Sequence, residues 1–291
     1  MRILITSHFK VWPPDSGGAA RTLNIAESLE SMGHKVSLLT SNACPEKPNE
    51  VKISGKWMGF VSNNQWGYFL NLDFYISFLR ALKERPHLII SSLPYQSFML
   101  INGARRRRIP IIYDAHNVEA DRFRNMGHLV KAKIVKLAES YFCKHANDIL
   151  AVSTDDQRLF KKYYGCDSSL LPNGVDVDYF TPEEPDNGLL DKYDLKGRKV
   201  VLYFGAFDYQ PNLEALGFLL KQWPKVCEQE PTARLLVIGR HPPEWAKNVQ
   251  NVIVTGSVDD IVSHIRLANI IVVTLISGGG TRCKILQALY C

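Results

Sequence analysis

The sequence has no apolar run long enough to span a bilayer, which argues against an integral membrane protein. It also has no signal-peptide pattern, because Met1-Arg2-Ile3-Leu4-Ile5-Thr6-Ser7-His8 leads straight into a short strand, so a cytosolic protein is expected. The six cysteines, Cys44, Cys143, Cys166, Cys227, Cys283 and Cys291, form no C-x-x-C pair and show no metal-ligand spacing. They read as reduced thiols, mostly buried, rather than as a disulfide framework or a zinc site. Neither half carries G-x-G-x-x-G after a strand, which argues against a nicotinamide dehydrogenase. There is no convincing D-x-D or histidine cluster for a metal; Asp155-Asp156 and Asp259-Asp260 read as helix starts.

What is present is an ordinary globular composition, 46% hydrophobic and 22% charged over 291 residues, which suits two domains. The formal charge of +6 favours an anionic ligand or surface only weakly. Its densest piece, Arg105-Arg106-Arg107-Arg108, lies at the end of a predicted helix, where cations complement the helix C-terminus on a solvated face. Contact with acidic lipid headgroups is the alternative reading of that run. No nucleic-acid motif and no interleaving of aromatic and basic residues accompanies it, so no nucleic-acid partner is expected.

Short β-branched runs alternate with longer helical stretches, the pattern of parallel sheets built from βαβ units. The first half gives strands Arg2–Ser7, Lys35–Ser41, Leu88–Ser92, Ile109–Asn117, Ile149–Ser153 and Ser168–Leu171, with Val51–Trp66 ambiguous. Its helices are Ala19–Met32, stopped by Gly33, then Asn71–Glu84, His128–Asn147 and Thr154–Tyr164. A turn-rich polar stretch from Pro172 to about Lys199 marks a boundary and gives an N-terminal domain over 1–182 and a C-terminal one over 183–291. The alternation then restarts with strands Val200–Ala206, Ala233–Arg240, Val252–Val258 and Ile270–Ile276, and helices Leu213–Glu230 and Asp259–Asn269.

Ligands of open parallel sheets sit beyond the carboxyl ends of the strands, and four segments lie there. The first is Trp12-Pro13-Pro14-Asp15-Ser16-Gly17-Gly18-Ala19-Ala20-Arg21, whose glycines open a helix and suit an anion or sugar. The second, Tyr113-Asp114-Ala115-His116-Asn117-Val118-Glu119, puts a histidine beside two carboxylates, able to bond a substrate hydroxyl or to develop charge. The third is Gly205-Ala206-Phe207-Asp208-Tyr209-Gln210-Pro211-Asn212. In the fourth, Ser277-Gly278-Gly279-Gly280-Thr281-Arg282-Cys283-Lys284 runs into the helix that starts at Ile285, and its glycines, helix amides and two cations can hold phosphate.

Taken in order, the Gly17-Gly18 loop, the Asp114–Glu119 stretch, Pro172-Asn173-Gly174-Val175-Asp176, Val237-Ile238-Gly239 and the Gly-Gly-Gly-Thr-Arg-x-Lys-Ile-Leu run resemble the retaining glycosyltransferases of family 4. The likeness covers essentially the whole chain. It implies an α/β GT-B fold, two Rossmann-like, doubly wound parallel-sheet domains, with acceptor in the first, nucleotide-sugar donor in the second and reaction in the cleft. It further implies no cofactor and no obligatory metal; the acceptor is expected to be a glycan, a lipid-linked or a small molecule, and the location cytoplasmic, with peripheral contact at an acidic inner membrane face as the alternative that the arginine run offers. Carried onto this chain, the resemblance makes His116 the contact to the transferred sugar, with Arg282 and Lys284 holding the diphosphate as its leaving-group charge grows. Gly17, Gly18, Gly205, Phe207, Gly239, Gly279, Gly280, Thr281 and Gln287 become donor-binding positions.

Three departures accompany the resemblance. The acidic pair E-x₇-E of many members falls here on Gly279 and Gln287, and a neutral Gln bonds a ribose hydroxyl without charge assistance. The Arg and Lys that many members carry after the first strand of the second domain are missing from Gly205–Asn212. Family members also continue through further strands beyond the helix in which Cys291 lies, so the second domain is expected to be incomplete. These departures keep two alternatives open, an inactive or degenerate binding protein of the same fold and a nucleotide-sugar epimerase.

Overall fold

The computed structural model describes residues 1–14, 16–41, 47–61, 71–275 and 283–291. Contacts divide the chain into one unit over Met1–Asn173 and a second that begins at Gly174. The division expected from turn composition, 182/183, lies within the same polar stretch, Pro172 to about Lys199. Val175 and Phe180 pack with Leu195, Val200 and Leu202 in the second unit's core, so the polar stretch after Gly174 is already part of it.

The first unit runs β1 (Arg2–Ser7), α1 (Gly17–Ser31), β2 (Lys35–Ser41), β3 (Trp57–Phe60), α2 (Leu72–Ala81), β4 (Leu88–Ser92), α3 (Ser97–Arg105), β5 (Ile111–Ala115), α4 (Glu119–Asn125), α5 (Leu129–His145), β6 (Asp148–Ala151), α6 (Thr154–Tyr164) and β7 (Ser169–Leu170). Its strands form one parallel sheet in the order β3-β2-β1-β4-β5-β6-β7. The strands are apolar on both faces because helices cover both. Leu4, Leu39, Ile89, Ile111 and Tyr113 face Phe74, Phe78, Leu100, Ile101, Phe142 and Phe160, while Ile3, Ile5, Val36 and Leu38 face Leu23 and Ala26 of α1. That alternation is the period of two built into a strand. Side chains cap the helices where the sequence supplies oxygen: Ser16 accepts from the amide of Ala19, Asn71 from Phe74 and Ser153 from Asp156.

The second unit follows with α7 (Asn187–Lys192), β8 (Lys199–Phe204), α8 (Gln210–Gln229), β9 (Ala233–Ile238), α9 (Glu244–Lys247), β10 (Val252–Gly256), α10 (Ile261–Ile265), β11 (Ile270–Ile271) and α11 (Cys283–Tyr290). Its described strands form a parallel sheet in the order β10-β9-β8-β11. Trp223, Leu216, Leu219 and Leu220 of α8 cover Tyr203, Leu235 and Val237 on one face; Val262 and Ile265 of α10 cover Leu202, Leu236 and Ile238 on the other. Strand order reverses between β8 and β11, the switch point at which open sheets hold ligands.

Several elements differ from the expectation. The stretch from Val118 leaves the sheet and forms α4, so the strand anticipated over Ile109–Asn117 is confined to Ile111–Ala115. The ambiguous segment after Val51 contributes only β3 among the described residues. The last strand stops at Ile271, although the amide of Val272 still donates to the Leu202 carbonyl at 3.0 Å. One reason is local: the next carbonyl on that edge, Phe204, accepts the Lys284 ammonium at 2.6 Å.

Candidate functional site

In the first unit, the missing side chain of Gly18 brings α1 and the end of β5 together. A Cβ there would lie 2.9 Å from Nδ1 of His116 and 3.2 Å from the Phe9 ring, so only glycine lets the imidazole lie on the first turn of α1. Gly17, one residue earlier, is exposed. His116 is half-buried, packs 5.7 Å from Phe9 between ring centroids, and meets Oδ2 of Asp114 through Nε2 at 3.1 Å. An ionised Asp114 accepts there, so Nε2 donates, and Nδ1 is the ring nitrogen nearest Gly18.

Asp114 is itself held from the other side by Arg21 of α1. The guanidinium donates Nε to both carboxylate oxygens at 3.0 and 3.1 Å and Nη2 to Oδ1 at 2.7 Å, with side chains only 5% and 1% exposed. Its Nη1 reaches Oδ1 of Asn173 at 2.8 Å. Burial by itself would raise the Asp114 pKa, but the hydrogen bond and charge of His116, and then those of Arg21, outweigh it and hold the carboxyl below its usual range. Of the two carboxylates that flank His116 in sequence, Asp114 and Glu119, the structure joins it to Asp114. The Glu119 carboxylate instead takes the Tyr95 hydroxyl at 2.6 Å and the Arg122 guanidinium at 3.0 and 2.7 Å. Sequence reasoning assigned no role to Arg21 or Asn173. The signal available was a cation on the buried face of α1, beside Ala19, Thr22, Leu23 and Ala26.

In the second unit the geometry gathers at the carboxyl end of β8. Gly239 adopts φ +152°, and a Cβ on it would lie 1.8 Å from the Gly205 carbonyl oxygen, so the ends of β8 and β9 meet backbone to backbone. The Gly205 amide donates to Ile238 at 2.9 Å and the Phe207 amide to Arg240 at 3.0 Å. Lys284, from the first turn of α11, places Nζ 3.1 Å from where a Gly205 Cβ would be and over the rings of Tyr203 and Phe204, 5.3 and 5.4 Å from their centroids. The cation expected at a phosphate thus lies at the strand end where the order reverses. Phe207 is buried in the core against Tyr203 and Gly239, and Gln287 is half-buried on α11. Gly279, Gly280, Thr281 and Arg282 lie outside the described residues. A cation that sequence reasoning missed is Arg240, which follows β9 and bonds Asp208 of the Gly205–Asn212 loop through Nε at 3.1 Å to both oxygens. Among the described residues no cluster of three or more His, Cys, Asp or Glu is placed to hold a metal ion, and no helix is long and apolar enough to cross a membrane.

Comparison with known proteins agrees with this arrangement. Residues 16–179 match the family Glycosyltransferase Family 4, and residues 198–291 match Glycosyl transferases group 1. The phosphatidyl-myo-inositol mannosyltransferase of Mycolicibacterium smegmatis is 28% identical over 233 residues, 77% of this chain and 55% of that protein. The chain therefore spans about half the length of this curated relative. Among solved structures, sucrose-phosphate synthase from Thermosynechococcus elongatus aligns with a TM-score of 0.79 at 15% identity, over 99% of this chain and 78% of that one. Anabaena HepE in complex with UDP and glucose aligns with a TM-score of 0.77 at 15% identity, over 100% and 78%. Likeness at this identity shows the fold, α/β of the GT-B type with two parallel sheets.

Proposed function

We propose that this chain, which belongs to glycosyltransferase family 4, moves a hexose from a nucleoside diphosphate sugar to a lipid-linked acceptor with retention of configuration. The observation that carries the reading is Lys284, an ammonium fixed at the carboxyl end of β8 beside Gly205. The leaving diphosphate gains negative charge as its bond to the sugar breaks, so a cation held there stabilises the transition state more than the ground state. Arg282 is proposed to share that role, and His116, oriented by Asp114 and Arg21, to meet the transferred sugar near the reacting carbon. Gly17, Gly18, Gly205, Gly239, Gly279, Gly280, Thr281 and Gln287 would line the donor, and Phe207 would support Gly205 from beneath. HepE is solved with UDP, which supports a nucleoside diphosphate donor, and the name of the mycolicibacterial relative supports a phosphoinositide-like acceptor and a mannosyl donor.

A lipid-linked acceptor calls for peripheral contact with an acidic inner membrane face, and the exposed Arg105–Arg108 run at the end of α3 is proposed to supply it. The test is incubation of the chain with GDP-mannose or UDP-glucose and phosphatidylinositol vesicles. A new glycolipid by mass spectrometry, with the donor's anomeric configuration by proton coupling constants, is the expected result. Donor epimerised without acceptor would support the epimerase alternative, and donor bound without product the binding protein.

A further inference from the structure

The segment that carries His116 is held from below by a carboxylate that the reaction itself does not use. Glu139 of α5 is fully buried, and its two oxygens take four donors in a matched set. Oε1 accepts the Glu119 amide at 3.0 Å and the Tyr113 hydroxyl at 2.9 Å; Oε2 accepts the Ala120 amide at 3.2 Å and the Tyr164 hydroxyl at 2.5 Å. A carboxylate offers about four lone-pair positions, and a protonated carboxyl surrenders one of them. Glu119 and Ala120 are the first two residues of α4, whose N-cap residue Val118 supplies no side-chain cap of its own. Two successive amides at the start of α4, close after His116 and Asn117, are thus fastened to one carboxylate from another helix.

We propose that Glu139 is a positioning residue for sugar transfer, acting as an ionised internal cap that fixes the start of α4 and, through it, the placement of His116. The proposal rests on the reading of His116 given above, while the cap itself does not. The groups that face Glu139 are Glu119 on α4, Tyr113 on β5, Tyr164 on α6, Cys143 one turn along α5, and Cys166 beyond α6. Burial pushes Glu139 up to about 7, assisted by the charge on Glu119 and opposed by the Tyr164 hydroxyl and the two amides. A folded-state pKa raised above the unfolded value makes the protonated form the more stable one. Glu139 therefore stabilises the fold most at pH below the ordinary carboxylate range, and that contribution is lost as pH rises through about 7. The cap runs the other way, since it is complete only when the carboxylate is charged. A group serving stability alone would favour the neutral form.

The experiment follows the backbone amides of Glu119 and Ala120 by NMR in selectively ¹⁵N-labelled protein over the pH range around 7, for wild type and Glu139→Gln, with steady-state transfer measured in parallel. In wild type both amide signals are expected to move together with a midpoint of about 7. In E139Q they should be insensitive to pH. E139Q should lose on the order of 10- to 10²-fold in kcat with donor KM changed by less than about twofold, and its kcat should lack the decline of wild type below neutral pH. Amide signals that ignore pH in wild type would overturn the cap even if the variant failed to fold. E139Q with wild-type kcat and pH profile would overturn the positioning role. Absence of transfer by wild type would count against the transferase reading and leave the amide titration to decide the cap.

Discussion

At the scale of single residues, the candidate site in the first unit depends on one buried ion pair and one missing side chain. Arg21 and Asp114 are both out of water, so removing one partner leaves the other charged and uncompensated. Arg21→Ala is expected to cost about 3–5 kcal/mol in urea unfolding near neutral pH. Asp114 has a lowered folded-state pKa, so its contribution is full above the ordinary carboxylate range and is lost as pH falls through the lowered value. Stability curves taken down to pH of about 3 should show acid loss beginning at higher pH in Arg21→Ala than in wild type, because only His116 then offsets the burial. The two key glycines should separate by readout. Gly239→Ala sets a Cβ against the Gly205 carbonyl at a backbone angle that suits glycine, and is expected to cost about 3 kcal/mol or more in thermal or urea unfolding. Gly18→Ala meets the edges of two side-chain rings, His116 and Phe9, rather than backbone, so it should cost less in unfolding than Gly239→Ala while displacing the imidazole and lowering transfer by on the order of 10²-fold. Little of this was legible beforehand. Gly18, Gly239 and His116 stood out by type and place in the chain, whereas the pairing of Arg21 with Asp114 and Asn173 joins residues far apart in sequence, and no local pattern announces it.

At the scale of elements, the sequence disclosed those that are long or strongly periodic. The parallel strands β1, β2, β4, β8 and β9 and the helices α1, α2, α5, α6 and α8 lie close to where β-branched runs and helical spacing put them. Short elements escaped: α4 lies where an apolar strand pattern runs into Asn117-Val118, and its start is fixed by Glu139 from another helix rather than by a capping residue of its own. The end of β11 also escaped, because the carbonyl of Phe204 is claimed by a lysine far along the chain. That lysine can be tested as the junction of β8 and α11. Lys284→Met keeps an apolar stem over Tyr203 and Phe204 and removes the charge, so calorimetric affinity for a nucleoside diphosphate is expected to fall by about tenfold or more. Unchanged affinity would place the phosphate elsewhere.

At the scale of the whole molecule, two sheets in succession and the order of five motifs made the family legible from sequence, and the match over residues 16–179 and 198–291 agrees with it. The sugar, the base and the acceptor were not legible, because they depend on pocket shape rather than on motif. The function proposed above assigns Lys284 of the second unit and His116 of the first to the same transfer. The most direct test is donor-dependent release of nucleoside diphosphate in the presence of phosphatidylinositol vesicles, comparing wild type with Lys284→Ala and His116→Ala. Wild type should release diphosphate only with both donor and vesicles present, and each variant should be slower by about 10²-fold or more. Release that is equal in wild type and both variants, or absent from wild type with every nucleoside diphosphate hexose tried, would contradict the account.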